Sequence, residues 1–326
     1  QKYRRRQIMD MVIKFLVAAV LAGTPLLYGT VGEILSEKTG HLNLGVEGMM
    51  SIGACAGFMA GYQTDSFVIA ILASALAGAL SALIYALLTV TFMANQNVTG
   101  LTLTIFGIGL ANFIGVMMIA KSPDGTLKLP EHITAAMRSI HIPGLSDIPV
   151  VGPLLFSYNP FVYLGILIAV LCGIYLGKTK TGLNVQAIGQ NPAAADAAGI
   201  QVTKWKYINI VVGGAICGIG GAYCSMIING GVWISDNVGG LGWIAVALVI
   251  FASWRPTLAI WGSFVFGALR ILKYYIPQSV FPFPIAFYDM LPFLITAIVL
   301  VISSIRNRRN SNMPEALGNN YFREER

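Results

Sequence analysis

Long apolar stretches alternate with short polar breaks along the whole chain. Continuous apolar runs occupy about 11–30, 46–62, 67–92, 98–120, 157–177, 205–228, 241–253, 257–275 and 287–305. Most approach 20 residues, the length at which an α-helix crosses a hydrocarbon layer roughly 30 Å thick. They are not period-two strands, which excludes a transmembrane barrel. The pattern predicts an all-α, polytopic membrane helix bundle. Its longest polar interval, 121–156, carries Lys121, Asp124, Glu131, His132, Arg138, His141 and Asp147.

Basic residues then suggest an orientation. Lys2, Arg4, Arg5 and Arg6 precede the first run, Lys178, Lys180, Lys204 and Lys206 bracket a central loop, and Arg306, Arg308 and Arg309 follow the last run. By the positive-inside rule both termini and the 178–206 loop are expected in the cytoplasm. Four runs after the loop fit that expectation, but five before it cannot begin and end on one side. A sixth crossing hidden in 67–120, where Asn95, Gln96 and Asn97 interrupt the run, gives ten transmembrane helices. One re-entrant run gives eight. Residues 1–310 are expected as a single transmembrane domain and 311–326 as a cytoplasmic tail.

Composition narrows the function. The chain is 56% hydrophobic and 11% charged, with mean hydropathy +0.72, whereas soluble domains carry about 25% charged residues. A cytosolic enzyme, a secreted disulfide scaffold and a disordered chain are excluded. The net charge of +7 resides at span ends, so the partner it implies is membrane lipid and not nucleic acid. Cys55, Cys172, Cys217 and Cys224 lie inside apolar runs and are expected to pack as small apolar groups. The first run leads into a Glu-containing segment instead of a small-residue cleavage site, so no cleavable signal peptide is expected.

Catalytic chemistry finds little support. His41, His132 and His141 lack carboxylates or thiols at metal-ligand spacing. Gly177-Lys178-Thr179 resembles the end of a phosphate-binding loop, but that motif needs Gly where Cys172 stands. Uphill transport would therefore draw on an ion gradient or a partner. Ionisable candidates at span ends are Asp10, Lys14, Glu47 and Asp289, and Glu47 stands out between Gly45 and Gly48. Gly53, Gly57 and Gly61, and Gly214 with Gly218, form ridges for close helix packing. Residues 45–80 and 240–269 share an order of features, ending at Gly78-Ala79-Leu80 and Gly267-Ala268-Leu269. Such internal repeats are common in transporters.

Three stretches carry more specific information. Asn191 suits a helix N-cap, Pro192 the first helical position and Gly199 the stop, which predicts a short alanine-rich helix on the central loop. It is too short to persist alone in water and needs a surface to dock against. Asn43, Glu47, Asn95, Gln96, Asn97 and Thr99 are polar groups at span boundaries, expected to face a central cavity or a broken helix. The plainer alternative is capping by Asn43 and Asn95, with Glu47 bonded to backbone amides. In 230–240, Gly-rich backbone interrupts an apolar run and predicts a protein-lined vestibule with Trp233 at the interface and Asp236 and Asn237 near its mouth. A Gly-rich turn anchored by Trp233 is the alternative.

Two of these stretches resemble a known family. Glu37, Gly40 and Asn43-Leu44-Gly45-Val46-Glu47-Gly48-Met49 match one pattern, and Gly189 through Ile200 match Gly-x-Asn-Pro-x-Ala-Ala-x-x-Ala-Gly-Ile. Ala94–Leu101 and Gly231–Ala245 match more weakly, with Gly240-Leu241-Gly242 where the family often has Gly-Arg-Gly. The chain resembles permease subunits of bacterial ABC importers for nucleosides and simple sugars, related to ribose and branched-chain amino acid permeases. The resemblance implies ten spans in the bacterial cell membrane and a second homologous permease. It also implies a cytoplasmic ATPase pair that binds ATP and Mg, with no cofactor in this chain, and an extracytoplasmic binding lipoprotein. Gly189, Asn191, Pro192, Ala194, Ala195, Ala197 and Gly199 would form the element docking on the ATPase. A nucleoside is the implied substrate, with simple sugars and riboflavin next; a stand-alone channel or ion-coupled carrier is the rival.

Overall fold

Side-chain caps set where many helices start. Ser66, Asn95, Asn159, Thr179 and Asn191 each accept a bond from the backbone N–H three residues on, which satisfies donors a helix start leaves free. A computed structural model describes residues 2–140, 143–146, 148–276, 284–306 and 312–322. Its helices are α1 (Lys2–Glu37), α2 (Val46–Thr64), α3 (Phe67–Ala86), α4 (Gln96–Lys121), α5 (Glu131–Ala136), α6 (Val151–Leu155) and α7 (Pro160–Lys178). There follow α8 (Lys180–Gln190), α9 (Pro192–Ala197), α10 (Val202–Tyr223), α11 (Leu241–Phe251), α12 (Pro256–Tyr275) and α13 (Ile285–Arg306). Short π-helical turns extend α3 over Leu87–Thr91 and α10 over Cys224–Ile228. His141, Asp147, Arg308, Arg309 and residues 277–283 lie outside the described residues, as does the side chain of Asp289.

The nine apolar runs correspond to α1, α2, α3, α4, α7, α10, α11, α12 and α13. Among the described residues, five stretches are both long and apolar enough to cross a membrane: Met9–Glu37, Phe67–Thr91, Gln96–Lys121, Pro160–Lys178 and Val202–Ile228. The sixth crossing expected before the central loop is not found among the described residues. Residues 67–121 hold only α3 and α4, separated at 92–95.

The parity problem resolves differently. Near its start, α1 meets the end of α12, where Phe15 packs edge-on to Tyr275 at 5.1 Å and the Tyr275 hydroxyl donates to the Lys14 carbonyl at 3.3 Å. Just past its end, Lys38 donates to the Asn312 carbonyl at 3.0 Å, and the Ala316 N–H to the Gly189 carbonyl at 3.0 Å. The start of α1 and the C-terminal tail therefore lie at opposite ends of the bundle, contrary to the expectation that both termini share a side. Counting Lys and Arg misleads here because the direction of α1 is set by its packing on α10 and α12. With α1 starting at the far end, α1, α2, α3, α4 and α7 bring the chain to the end that carries 178–206.

The repeat read at 45–80 and 240–269 extends to α1–α2–α3 and α10–α11–α12. α1 and α10 run antiparallel: a Cβ on Gly32 would strike Gly213, and the Tyr223 hydroxyl donates to the Leu21 carbonyl at 2.9 Å. The third helix of each unit packs on the first helix of the other. Gly78 of α3 abuts Gly214 and Gly218 of α10, and Gly267 of α12 abuts Ala19 and Gly23 of α1, each too closely for any side chain. These are inverted repeats crossed through their Gly-Ala-Leu glycines. Gly78→Leu and Gly267→Leu should each abolish the monodisperse peak in size-exclusion chromatography. Leu80→Phe, at a position 53% exposed on the outer face of α3, should leave that peak intact.

Candidate functional site

The turn between α1 and α2 is the most polar part of the buried interior. Glu33, Glu37, His41, Asn43 and Glu47 are all buried. Glu33 accepts the Asn43 N–H at 2.8 Å, Asn43 Oδ1 accepts the Gly45 N–H at 2.9 Å, and the Trp254 indole donates to Glu37. The Tyr85 hydroxyl donates to the Leu42 carbonyl at 2.7 Å, and the Leu42 N–H donates to Gln96 at 2.8 Å. Burial, reinforced by Arg255, pulls the Lys38 ammonium down to about 8 against the opposing pull of Glu37. Burial, helped by Lys206, holds the His41 imidazole well below its ordinary range, so it is neutral at pH 7.

From this turn the chain climbs inward. The Thr104 hydroxyl donates to the Leu44 carbonyl at 2.8 Å; Thr104 lies eight residues past Gln96, about 12 Å into the bundle at 1.5 Å per residue. There α2 begins, and Glu47 on its first turn accepts the N–H groups of Gly240 at 2.8 Å and Gly242 at 2.5 Å. The carboxylate thus caps α11, a short helix of 11 residues whose first turn also lies inside the bundle. Helix N-termini favour negative charge, and here two of them meet at one carboxylate. This agrees with the alternative in which Glu47 bonds to backbone amides.

The segment leading to α11 descends from the opposite end. The Trp233 N–H donates to the Leu127 carbonyl at 2.9 Å, and the Gly231 carbonyl accepts from Leu129 at 2.8 Å, so part of the 121–156 interval lines it. Trp233 is buried, edge-on to Phe58 at 5.3 Å and hard against Gly115. It is an interior residue and not an interfacial anchor, because Gly115 leaves room for the indole between α2 and α4. Asp236 is exposed and its N–H donates to Asn112 at 2.9 Å; Asn237 accepts from Asn229 at 2.5 Å.

At the other end α8 and α9 pack together as a platform. Asn191 Oδ1 accepts the Ala194 N–H at 3.0 Å, Pro192 begins α9, and Gly199 takes φ +83° to end it. Ala195 is buried with Ile188 and Val202, while Ala193, Ala194, Ala197 and Ala198 face outward. Residues 312–322 strap this platform down. Gly318 donates to the Gly40 carbonyl at 3.1 Å, Gln96 to Asn320 at 3.0 Å, and the Tyr321 hydroxyl to Asp196 at 2.8 Å.

A family profile described as the permease component of the branched-chain amino acid transport system matches residues 15–300. The chain belongs to that family. It is a multi-pass membrane protein, a permease component with several helices able to span a membrane. Among individual relatives, NupC of Lactococcus lactis, a nucleoside ABC transporter permease, is 32% identical over 89% of this chain and 92% of its own. NupQ of Bacillus subtilis, a guanosine ABC transporter permease, is 32% identical over 90% of this chain and 92% of its own. TsgC13 of Haloferax volcanii, named provisionally as a glucose ABC transporter permease, is 34% identical over 81% and 78%.

The residues singled out from the sequence fall at three levels. Asn43 and Gln96 both bond within the 41–45 turn, Asn43 to Gly45 and Gln96 to Leu42; Asn95 caps α4 and is exposed like Asn97, with Thr99 half-buried beside them. Glu47 meets Gly240 and Gly242 inside the bundle. Trp233, Asp236 and Asn237 belong to the descending segment. Sequence reading passes over Asn112, Trp254, Arg270, Asn320 and Tyr321. Only Arg270 carried a visible signal, as a charge within the apolar run 257–275.

Proposed function

We propose that this permease is the translocating subunit of an ATP-driven importer for a nucleoside or a simple sugar. Its partners in that assembly are a second homologous permease, a cytoplasmic ATPase pair that binds ATP and Mg, and an extracytoplasmic binding protein. The α8–α9 end faces the cytoplasm, and the end carrying Asp236 receives the solute. The observation that carries this reading is the outward alanine face of α9. Ala194 and Ala197 present a flat, small surface on a helix held from behind by Ala195 packing and by Tyr321, which suits contact with a moving partner. Lys38, Lys178, Lys180, Lys204, Lys206 and Arg255 gather at that end, in keeping with a cytoplasmic face. The nucleoside and glucose names of the relatives support the substrate class.

The test is reconstitution of the complete complex in proteoliposomes. ATP hydrolysis should rise several-fold when binding protein loaded with guanosine or glucose is added, and one of these solutes should accumulate inside only with ATP. Equilibration of the solute without ATP would overturn the reading in favour of a channel or carrier.

A further inference from the structure

Arg270 lies in the apolar helix α12 and is half-buried on the side that packs against the bundle. The exposed stripe of α12 runs through Leu258, Trp261 and Val265, with Trp261 72% exposed, and near the end of the helix Tyr274 is exposed as well. Arg270 falls on the other side, seven residues after Ser263, four after Phe266 and three after Gly267, all of them buried. A charged side chain facing the interior of a membrane bundle is expensive unless something pairs with it. Among the described residues Arg270 makes no ion pair and no hydrogen bond.

Instead it lines a cavity of about 400 Å³ between α1, the end of α10 and α12. That volume is within the range of sites for small organic ligands. Leu21, Ala22, Tyr223 and Ile227 supply apolar and aromatic wall, and the Tyr223 hydroxyl is committed to the Leu21 carbonyl, which leaves its ring to the cavity. Lys273, one turn on, also lines the cavity, with its ammonium 5.3 Å from the Tyr274 ring. The site lies in the half that ends at Tyr275, away from α8 and α9.

We propose that this cavity is a binding station for the permeating solute, held by Arg270 through paired acceptor atoms on one edge of a planar ring. A guanidinium carries five donors and no acceptor, so its ligand must accept. Its planar fork suits two acceptors side by side, as in the carbonyl oxygen and ring nitrogen of a 6-oxopurine. An adenine offers a donor amine at the same place and is the poorer ligand. A 6-oxopurine nucleoside such as guanosine or inosine therefore fits the station. The proposal rests on the importer reading for its route, but not for its binding chemistry.

The experiment uses the complete reconstituted complex with wild-type chain, Arg270→Gln and Arg270→Lys. Uptake of guanosine and adenosine is followed in vesicles of neutral and of anionic phospholipid, with assembly checked by size-exclusion chromatography. Arg270→Gln should raise the KM for guanosine about tenfold or more and that for adenosine much less, in both kinds of vesicle. Arg270→Lys, which keeps the charge without the fork, should fall between. An unchanged KM in an assembled Arg270→Gln complex overturns the proposal, as do equal changes for both nucleosides. An effect confined to anionic vesicles also overturns it and assigns Arg270 to a lipid headgroup. Should the wild-type complex take up no nucleoside with ATP, the importer reading fails. Calorimetric guanosine binding that weakens in Arg270→Gln would then still support the station, and its absence would remove it.

Discussion

Arginine in place of Ala194 should abolish ATP-driven uptake while the permease still inserts and folds. Ala194 is exposed on α9, and the contacts that hold this helix are made by other residues: Ala195 against Ile188 and Val202, Asn191 at the cap, and Asp196 with Tyr321. A long cation at position 194 therefore disturbs little inside the chain. In the assembled importer it would stand in the contact with the ATPase, where burying an unpaired charge costs several kcal/mol. A loss of uptake of more than a hundredfold is expected, and Ala197→Arg should behave alike. Uptake of labelled nucleoside in proteoliposomes, with co-purification of the ATPase, measures both parts. Full-rate transport by Ala194→Arg would show that α9 is not the coupling element.

The second large effect is expected at Glu47. The carboxylate takes two backbone N–H groups at the start of α11 while sitting on the first turn of α2. Glu47→Gln retains one acceptor oxygen and brings an amide N–H₂ against the other backbone donor. A buried N–H left without a partner costs about 1–3 kcal/mol, and the negative charge between two helix starts is lost as well. The melting temperature of the purified protein should fall by several degrees and transport should drop sharply. Glu47→Asp keeps the charge at shorter reach and should lie between. A Gln variant that melts and transports like wild type would contradict the cap as a structural necessity.

Local signals were legible in the sequence, and long-range ones were not. α9 could be read from Asn191, Pro192 and Gly199 because capping and stopping depend on a few neighbouring residues. The crossed repeat was visible at Gly78 and Gly267, since close backbone approach demands glycine in both copies. Glu47 could be recognised as a cap for amides, yet its partners lie 193 and 195 residues away and follow only from the fold. The depth of Trp233 was likewise hidden, because an indole suits an interface and a glycine-lined interior slot equally well by type. Lys2, Arg4, Arg5 and Arg6 pointed to the wrong relative side, since a charge count carries no information on helix packing. Arg270 shows in the sequence as a charge within an apolar run, but the cavity it lines follows only from the fold.

The orientation of the whole bundle is tested most directly by thiol accessibility. Asp10→Cys, Asp236→Cys and Ala194→Cys would be made singly in a chain lacking Cys55, Cys172, Cys217 and Cys224; all three positions are exposed. A membrane-impermeant maleimide applied to intact cells should label Asp10→Cys and Asp236→Cys, and reach Ala194→Cys only after permeabilisation. Labelling of Ala194→Cys in intact cells, or of Asp10→Cys and Asp236→Cys from opposite sides, would contradict the inverted-repeat importer with α9 in the cytoplasm.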